Sequence, residues 1–275
     1  MKQNLYCFDK VAPTVSVADA LTEKSVDAYR RDGFLAVDGV LSPEEVTTAK
    51  GAVEDFLFLR TPGAESVLQP EPALKDAWPS LSPEERAGAT RKLFRFVEFE
   101  PRLKTLAVAQ ENIQRILARL LGETPILIQD MALLKPPHVG TEKQWHQDLA
   151  YFSWGPPEKV IGVWIALDPA TAENGCMHVL PGTHLEGSKP HFHVRDCQLA
   201  DESVEVERDT LAPLAPGGAL LFHPLLHHGT PPNSSPNRRW ALQFHYRAAS
   251  AVPVSREEHA RLFFDGDNLY AGCLP

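Results

Sequence analysis

A chain of 275 residues, 43% hydrophobic and 23% charged, has the composition of a globular protein with enough length to bury a sizeable core. Its formal net charge of −9 argues against general binding to nucleic acid or anionic membranes, which requires clustered Lys and Arg, but not against a local basic pocket for one anion. Cys7, Cys176, Cys197 and Cys273 form no CxxC pair, the start carries no basic-then-apolar leader, no apolar run approaches the ~20 residues of a membrane span, and Gly272-Cys273-Leu274-Pro275 is no retention address, so a cytoplasmic protein with free thiols is expected.

Residues 1–20 read as an irregular lead-in. A helix is predicted over 22–32, with Thr22 as N-cap and Gly33 as stop, followed by a short strand over 34–37. Ser42-Pro43-Glu44-Glu45 opens a second helix reaching about Leu59, because a capping Ser, a Pro in the first turn and a Glu three residues on satisfy its orphan backbone donors. Residues 60–90 are rich in Pro, Gly and Glu and predict a loop with a short helix after Ser82, shaped as a cover. The run 92–99 predicts a strand with Lys92, Phe94 and Phe96 on one face. One helix is predicted from Pro101 to Leu121, its apolar face made by Leu103, Leu106, Ile113, Ile116, Leu117 and Leu120, and Gly122 ends it.

After Gly122 the pattern changes. Short apolar or alternating runs at 125–134, 143–149, 160–167, 177–180, 218–222 and 240–246 are separated by Pro, Gly and Asn clusters, the pattern of a β-sandwich or barrel. The fold expected is mainly β with supporting helices, a double-stranded β-helix (jelly roll, cupin-like). It forms a single domain over 1–275: helical support and cover in 1–121, jelly-roll core in 122–250 and a C-terminal segment in 251–275.

Trp145-His146-Gln147-Asp148-Leu149 carries the first chemistry. In a strand, residues i and i+2 point the same way, so His146 and Asp148 share a face. Alone, such a pair is more often a hydrogen-bonded couple at a sheet surface than a metal site. A second cluster, Leu221 to Gly229, contributes His223, His227 and His228, and eleven residues beyond His228 stands Arg239, at the start of an apolar strand. A buried guanidinium needs an anionic partner, and a bound carboxylate is one candidate. Two His and one carboxylate form the facial triad that holds Fe(II) with coordination positions open.

The chain resembles the phytanoyl-CoA dioxygenase family of Fe(II)/2-oxoglutarate oxygenases. The resemblance begins in Tyr29-Arg30-Arg31-Asp32-Gly33-Phe34 and Ser42-Pro43-Glu44-Glu45-Val46. It strengthens through Lys135-Pro136-Pro137 and His146-Gln147-Asp148-Leu149-Ala150-Tyr151-Phe152. It continues in Asn174-Gly175-Cys176, Leu180-Pro181-Gly182-Thr183-His184 and Phe222-His223-Pro224-Leu225-Leu226-His227-His228-Gly229-Thr230. It implies His146, Asp148 and His228 as iron ligands, choosing His228 over His227 because the family's distal His precedes Gly-Ser or Gly-Thr and lies eleven residues before the Arg. Arg239 matches the partner of the far carboxylate of 2-oxoglutarate, and Thr230 matches a hydroxyl donor there, where Ser is more usual. Trp164, Met131 and Lys92 match further cosubstrate contacts.

The same resemblance implies Fe(II), 2-oxoglutarate and O2 as cofactors, ascorbate as an optional stimulant, and a small-molecule substrate, with neither nucleic acid nor membrane as partner. The reaction expected is hydroxylation of an unactivated C–H bond with release of succinate and CO2. Desaturation, ring closure and fatty acyl-CoA 2-hydroxylation are alternatives, and a hydrolytic metal site or a non-catalytic jelly roll is a weaker one. Asp148 disfavours halogenation, because radical halogenases of this type lack the carboxylate ligand. Gln144, Tyr151, Phe152, Trp154 and Gln243 are candidate substrate contacts. His184 reads as a turn residue; His178, His191, His193 and His245 read as surface or core, with lining the pocket as the alternative, and His223 or His227 is a weaker candidate for a substrate contact.

Overall fold

The computed structural model describes residues 5–264. Two sheets lie at its centre. The larger has eight strands in the order Thr14–Ser16, Phe34–Asp38, Ala219–Phe222, Val160–Ala166, Arg239–Ala248, Pro125–Lys135, Thr90–Phe94 and Leu68–Pro70. The smaller has four, in the order Thr210–Ala212, Met177–Val179, His228–Thr230 and Lys143–His146. Neighbours run antiparallel throughout, apart from the parallel pairing of Thr14–Ser16 with Phe34–Asp38.

Alternation along the strands assigns the two faces of the large sheet. Leu35, Val37, Val163, Ile165, Ala219, Leu221, Leu242, Phe244 and Tyr246 point outward and pack with Val53, Phe56, Leu103, Leu106, Ile113 and Leu117 of the helices. Burying each large side chain of that layer contributes roughly 1.5–3 kcal/mol, so this face anchors the sheet. The other face presents Phe34, Ala36, Trp164, Ala166, Leu220, Phe222 and Ala241 toward Met177, Val179 and Ala212 of the small sheet. Several of these inner side chains are small, which leaves room between the sheets for polar groups.

The predicted helix starts are present. Thr22 caps Glu23–Asp32 and Gly33 ends it at φ 84°. Ser42 and Glu45 form a reciprocal capping box on Pro43–Leu57, and Ser82 with Glu85 does the same for Pro83–Ala89. The segment 60–90 is more structured than a loop, with a strand, Leu68–Pro70, paired to Thr90–Phe94.

Three boundaries differ from expectation. The long helix after Pro101 is two, Pro101–Ala109 and Glu111–Leu121. The break is Gln110, whose extended backbone (ψ 119°) and side-chain oxygen cap the second helix at the Ile113 N–H. The strand beginning at Thr90 stops at Phe94 because Arg95 adopts φ 62° and the Asp130 carboxylate takes the N–H groups of Phe96 and Val97. Lys92 and Phe94 share a face as expected, while Phe96 belongs to the helix-side core. The Lys143 strand ends at His146, and Asp148 begins a short 3-10 turn, Asp148–Tyr151.

Cys7 and Cys176 are free thiols, but Cys197 is disulfide-bonded, contrary to the expectation for it; Cys273 and the chain end lie outside the described residues. Among the described residues, no helix is long and apolar enough to cross a membrane.

Candidate active site

His146 and His228 are cross-strand partners in the small sheet. Directly opposed residues share a face, and the two imidazole centroids lie 4.2 Å apart. Each ring donates its Nδ1–H to the carbonyl two residues earlier, His146 to Gln144 at 2.7 Å and His228 to Leu226 at 2.9 Å. A carbonyl can only accept, so these bonds fix the tautomer and leave both Nε2 lone pairs free. Asp148 reaches the same point from its turn rather than from the strand. Its Oδ1 lies 3.1 Å from His146 Nε2 and 3.4 Å from His228 Nε2. The donor atoms of the three residues fall within 4.8 Å of one another, and all three side chains are buried.

Asp148 uses its two oxygens differently. Oδ1 faces the imidazoles, while Oδ2 is held by His245 Nε2 at 2.6 Å and by the Gln243 amide at 3.0 Å. Burial opposes ionisation of this carboxyl, yet His228 and His245 beside it outweigh burial and hold it well below the usual carboxylate range. Burial, reinforced by His228 and Lys143, pushes His146 down to about 4, so its ring is neutral at pH 7. A neutral imidazole beside an ionised carboxylate is the donor chemistry a divalent cation needs.

His245 is the residue that the sequence reading missed by assigning it to surface or core. The available signal was the two-residue period of the Arg239 strand, which puts Arg239, Ala241, Gln243 and His245 on one face. Gln243, expected to touch substrate, spends its amide nitrogen on Asp148. Gln147, between His146 and Asp148, turns the other way. It donates to the carbonyls of Gly187 and Leu225 and accepts from the Lys189 N–H, stitching three loop positions to the strand end.

Farther along the same large-sheet face, Arg239 is 2% exposed. One guanidinium nitrogen donates to the Leu133 carbonyl at 3.2 Å, Nε is without a partner, and the Trp164 ring lies 5.2 Å away. Burial pulls this guanidinium down to about 10. Trp164 and Met131 flank Gln243 in register, and the indole N–H of Trp164 is also unpaired. Lys92 lies opposite Leu133 with its ammonium 5.0 Å from the Phe94 ring, pushed down to about 8 by burial and by nearby Lys143 and Arg91. Thr230 follows His228 by two residues and is buried. A buried cation with an idle N–H, beside an indole with another, fits the far carboxylate of a dicarboxylic cosubstrate.

Of the remaining predicted contacts, Gln144, Phe152 and Trp154 line two clefts, and Tyr151 lines neither. Gln144 is buried with its side-chain oxygen unpaired, and it lines a cavity of about 420 Å³ together with Arg91, His138, Arg195 and Asp196. Tyr151 stands edge-on to His146 at 5.9 Å, accepts a bond from Lys143 at 2.8 Å and donates to the Cys197 carbonyl. Phe152 packs 4.5 Å from His245, and with Trp154 it lines a second cavity of about 250 Å³.

Four further histidines bond structural groups. His178 pairs with Asp209 at 2.9 Å, and His191 accepts the Gln147 N–H. His184 bonds the Arg30 carbonyl, and His223 accepts from the Leu225 N–H. His193 lies in an exposed two-residue strand. His227 is buried with both ring nitrogens unpaired among the described residues and is not part of the His146–Asp148–His228 group.

Comparison with known proteins identifies the family. Residues 29–241 match the family model described as phytanoyl-CoA dioxygenase (PhyH). The phytanoyl-CoA dioxygenase domain-containing protein 1 of Danio rerio is 26% identical over 265 residues, covering 82% of this chain and 90% of the relative. The peroxisomal phytanoyl-CoA dioxygenase of Rattus norvegicus is 26% identical over 240 residues, covering 82% and 68%. Among solved structures, the non-heme alpha-ketoglutarate-dependent carbocyclase SnoK from nogalamycin biosynthesis superposes with a TM-score of 0.67 at 21% identity, covering 91% of this chain and 93% of that one. EctD from S. alaskensis, solved with 2-oxoglutarate and 5-hydroxyectoine, gives 0.64 at 23% identity, covering 84% and 77%. Those two likenesses establish the shared cupin-like jelly roll, and the family match spans the strands that carry both the triad and Arg239. The chain belongs to the phytanoyl-CoA dioxygenase family and is an iron- and 2-oxoglutarate-dependent oxidoreductase.

Proposed function

We propose that this enzyme hydroxylates an unactivated C–H bond of a small-molecule metabolite, working as one oxygenase domain. His146, Asp148 and His228 hold the iron, and Arg239 takes the far carboxylate of 2-oxoglutarate with help from Thr230 and Lys92, while Trp164 and Met131 wall the pocket. Iron with 2-oxoglutarate and O2 supplies the oxidising power, the cosubstrate leaving as succinate and CO2. The carrying observation is that one face of one strand delivers both the unpaired guanidinium of Arg239 and the two side chains, Gln243 and His245, that orient Asp148.

The chain's own work is orientation. The backbone carbonyls of Gln144 and Leu226 aim the two Nε2 atoms, and the Gln243–His245 pair keeps Asp148 Oδ1 turned inward. Gln144, two residues before His146, lines the larger of the two cavities, where we place the substrate, and Tyr151 stands edge-on to the His146 ring. Phe152 and Trp154 line the smaller cavity, on the His245 side. The carboxylate of Asp148 keeps a third protein ligand on the metal, which favours oxygen insertion over halogen transfer.

The test is anaerobic loading with Fe(II) and 2-oxoglutarate, then exposure to O2 with a panel of metabolites, reading succinate and product mass. A gain of one oxygen in the product is expected. Full turnover by a His146→Ala or Asp148→Ala variant would refute the ligand assignment.

A further inference from the structure

Lys135 is 5% exposed and directly opposes Arg239 across the ladder, so two cationic side chains share one buried face. Its side-chain nitrogen donates to the Thr230 carbonyl at 3.3 Å and to the Pro231 carbonyl. Those are the last residue of the strand that carries His228 and the residue after it. Glycines give the amine its space. A Cβ on Gly175, at φ 82°, would lie 2.6 Å from the Pro231 oxygen and 3.1 Å from the Lys135 amine. A Cβ on Gly140 would lie 2.9 Å from the Lys135 Cβ. The Asn174-Gly175-Cys176 stretch therefore leaves no room for a side chain where the lysine meets Pro231.

Asn233 completes the fastening, donating its amide to the carbonyls of Lys135 and Pro136. Burial, then the neighbouring Arg239, holds Lys135 well below the ordinary lysine range. Its only hydrogen bonds among the described residues go to those two carbonyls, so it is placed to hold backbone rather than to balance a carboxylate.

We propose that Lys135 is a positioning residue of the cosubstrate pocket, fixing the Thr230–Pro231 backbone so that the Thr230 hydroxyl and the Arg239 guanidinium converge on one carboxylate. The proposal rests on the reading of Arg239 given above. Its chemical consequence is selectivity for a 2-oxo acid with a second carboxylate at the far end, since the lysine acts only on that end of the pocket.

The test uses the Fe(II)-loaded protein without O2 and reads its visible charge-transfer absorption during titration with 2-oxoglutarate or with 2-oxovalerate, which has the same carbon chain and no far carboxylate. Lys135→Met is expected to weaken 2-oxoglutarate binding roughly tenfold or more, the size of one lost hydrogen bond to a charged group, and to change 2-oxovalerate less than about twofold. Gly175→Ala presses on the same contact from the other side, retains the amine, and is expected to give the same selective loss. In a cycle with Thr230→Val, the two effects should be strongly non-additive.

Equal weakening of both ligands by Lys135→Met would reduce Lys135 to general structural support and overturn the proposal, as would wild-type affinity in Lys135→Met and Gly175→Ala or additivity with Thr230→Val. Failure of the unmodified protein to bind 2-oxoglutarate would instead overturn the functional reading itself.

Discussion

Replacing Arg239 by Met separates function from stability, because the two should move in opposite directions. In the protein without cosubstrate, the guanidinium is 2% exposed, donates once, to Leu133 at 3.2 Å, and leaves Nε idle. Desolvating such a cation costs several kcal/mol. Against this stand about 2 kcal/mol from the Trp164 face and about 1–2 kcal/mol from the single hydrogen bond. A methionine of similar length fills the space without that penalty, so the cosubstrate-free variant should gain roughly 1–3 kcal/mol, seen as a rise in Tm of about 2–5 °C. The same change removes two charge-assisted bonds to the far carboxylate. At about 1.5–3 kcal/mol each, 2-oxoglutarate binding should weaken roughly 150- to 20,000-fold. Calorimetric melting of the cosubstrate-free protein and anaerobic titration with 2-oxoglutarate measure the two sides independently. A Tm that falls by several degrees with cosubstrate affinity unchanged would show Arg239 to be a structural residue and refute the reasoning.

His245→Leu and Gln243→Leu each remove one of the two bonds to the outer oxygen of Asp148, so iron or manganese affinity should drop about 10- to 100-fold, as competition with a chelator will report. Gly162→Ala would place a Cβ 2.5 Å from the Phe222 ring, which itself packs 4.7 Å from His228. Overpacking there should cost about 1–3 kcal/mol in denaturant unfolding and also weaken metal binding. Asp196 accepts from Lys143 at 2.7 Å and lies 3.5 Å from Arg91; burial opposes its ionisation, but Lys143 outweighs burial and holds it below the usual carboxylate range. A lowered folded-state pKa contributes stability above the unfolded-state value, near 3.9, that is lost as the pH falls toward the folded value. Asp196→Asn should therefore lower Tm at neutral pH, and the gap from the unmodified protein should begin to narrow as the pH falls below about 4. A gap that is constant from pH 7 to pH 3 would rule out this linkage.

Local chemistry made much of the fold legible. Ser42 and Ser82 announce their helices because a hydroxyl and a Glu three residues later satisfy N–H groups that nothing else can reach. The short apolar runs after Gly122 announce strands because alternation survives wherever a sheet has two chemically different faces. What escaped the sequence depends on distant partners. The interruption at Gln110 is set partly by its side-chain amide bonding the Val40 carbonyl, seventy positions away. The end of the Thr90 strand is set by Asp130, on the adjacent strand. Likewise, His146 and Asp148 point to a common centre without sharing a strand, because the chain turns between them. His245 was hidden for the same kind of reason: a histidine in an apolar strand acquires meaning only when a carboxylate from a distant turn arrives beside it. Deciding between His227 and His228 required the family pattern, and the ladder explains the choice by seating His228 opposite His146.

The division of labour between Asp148's two oxygens has a mechanical side. The His146 and His228 imidazoles belong to the small sheet, whereas Gln243 and His245 belong to the large one, and the carboxylate faces the first pair while bonding the second. A cation drawn to Oδ1 therefore tightens a rivet that passes from one layer to the other. Loading the metal should damp sliding between layers far from the ion itself, including the spacing that sets how far Arg239 stands from the triad. Slowed amide exchange along the Arg239–Ala248 strand, whose residues include no ligand of the ion, would be the trace of that rivet.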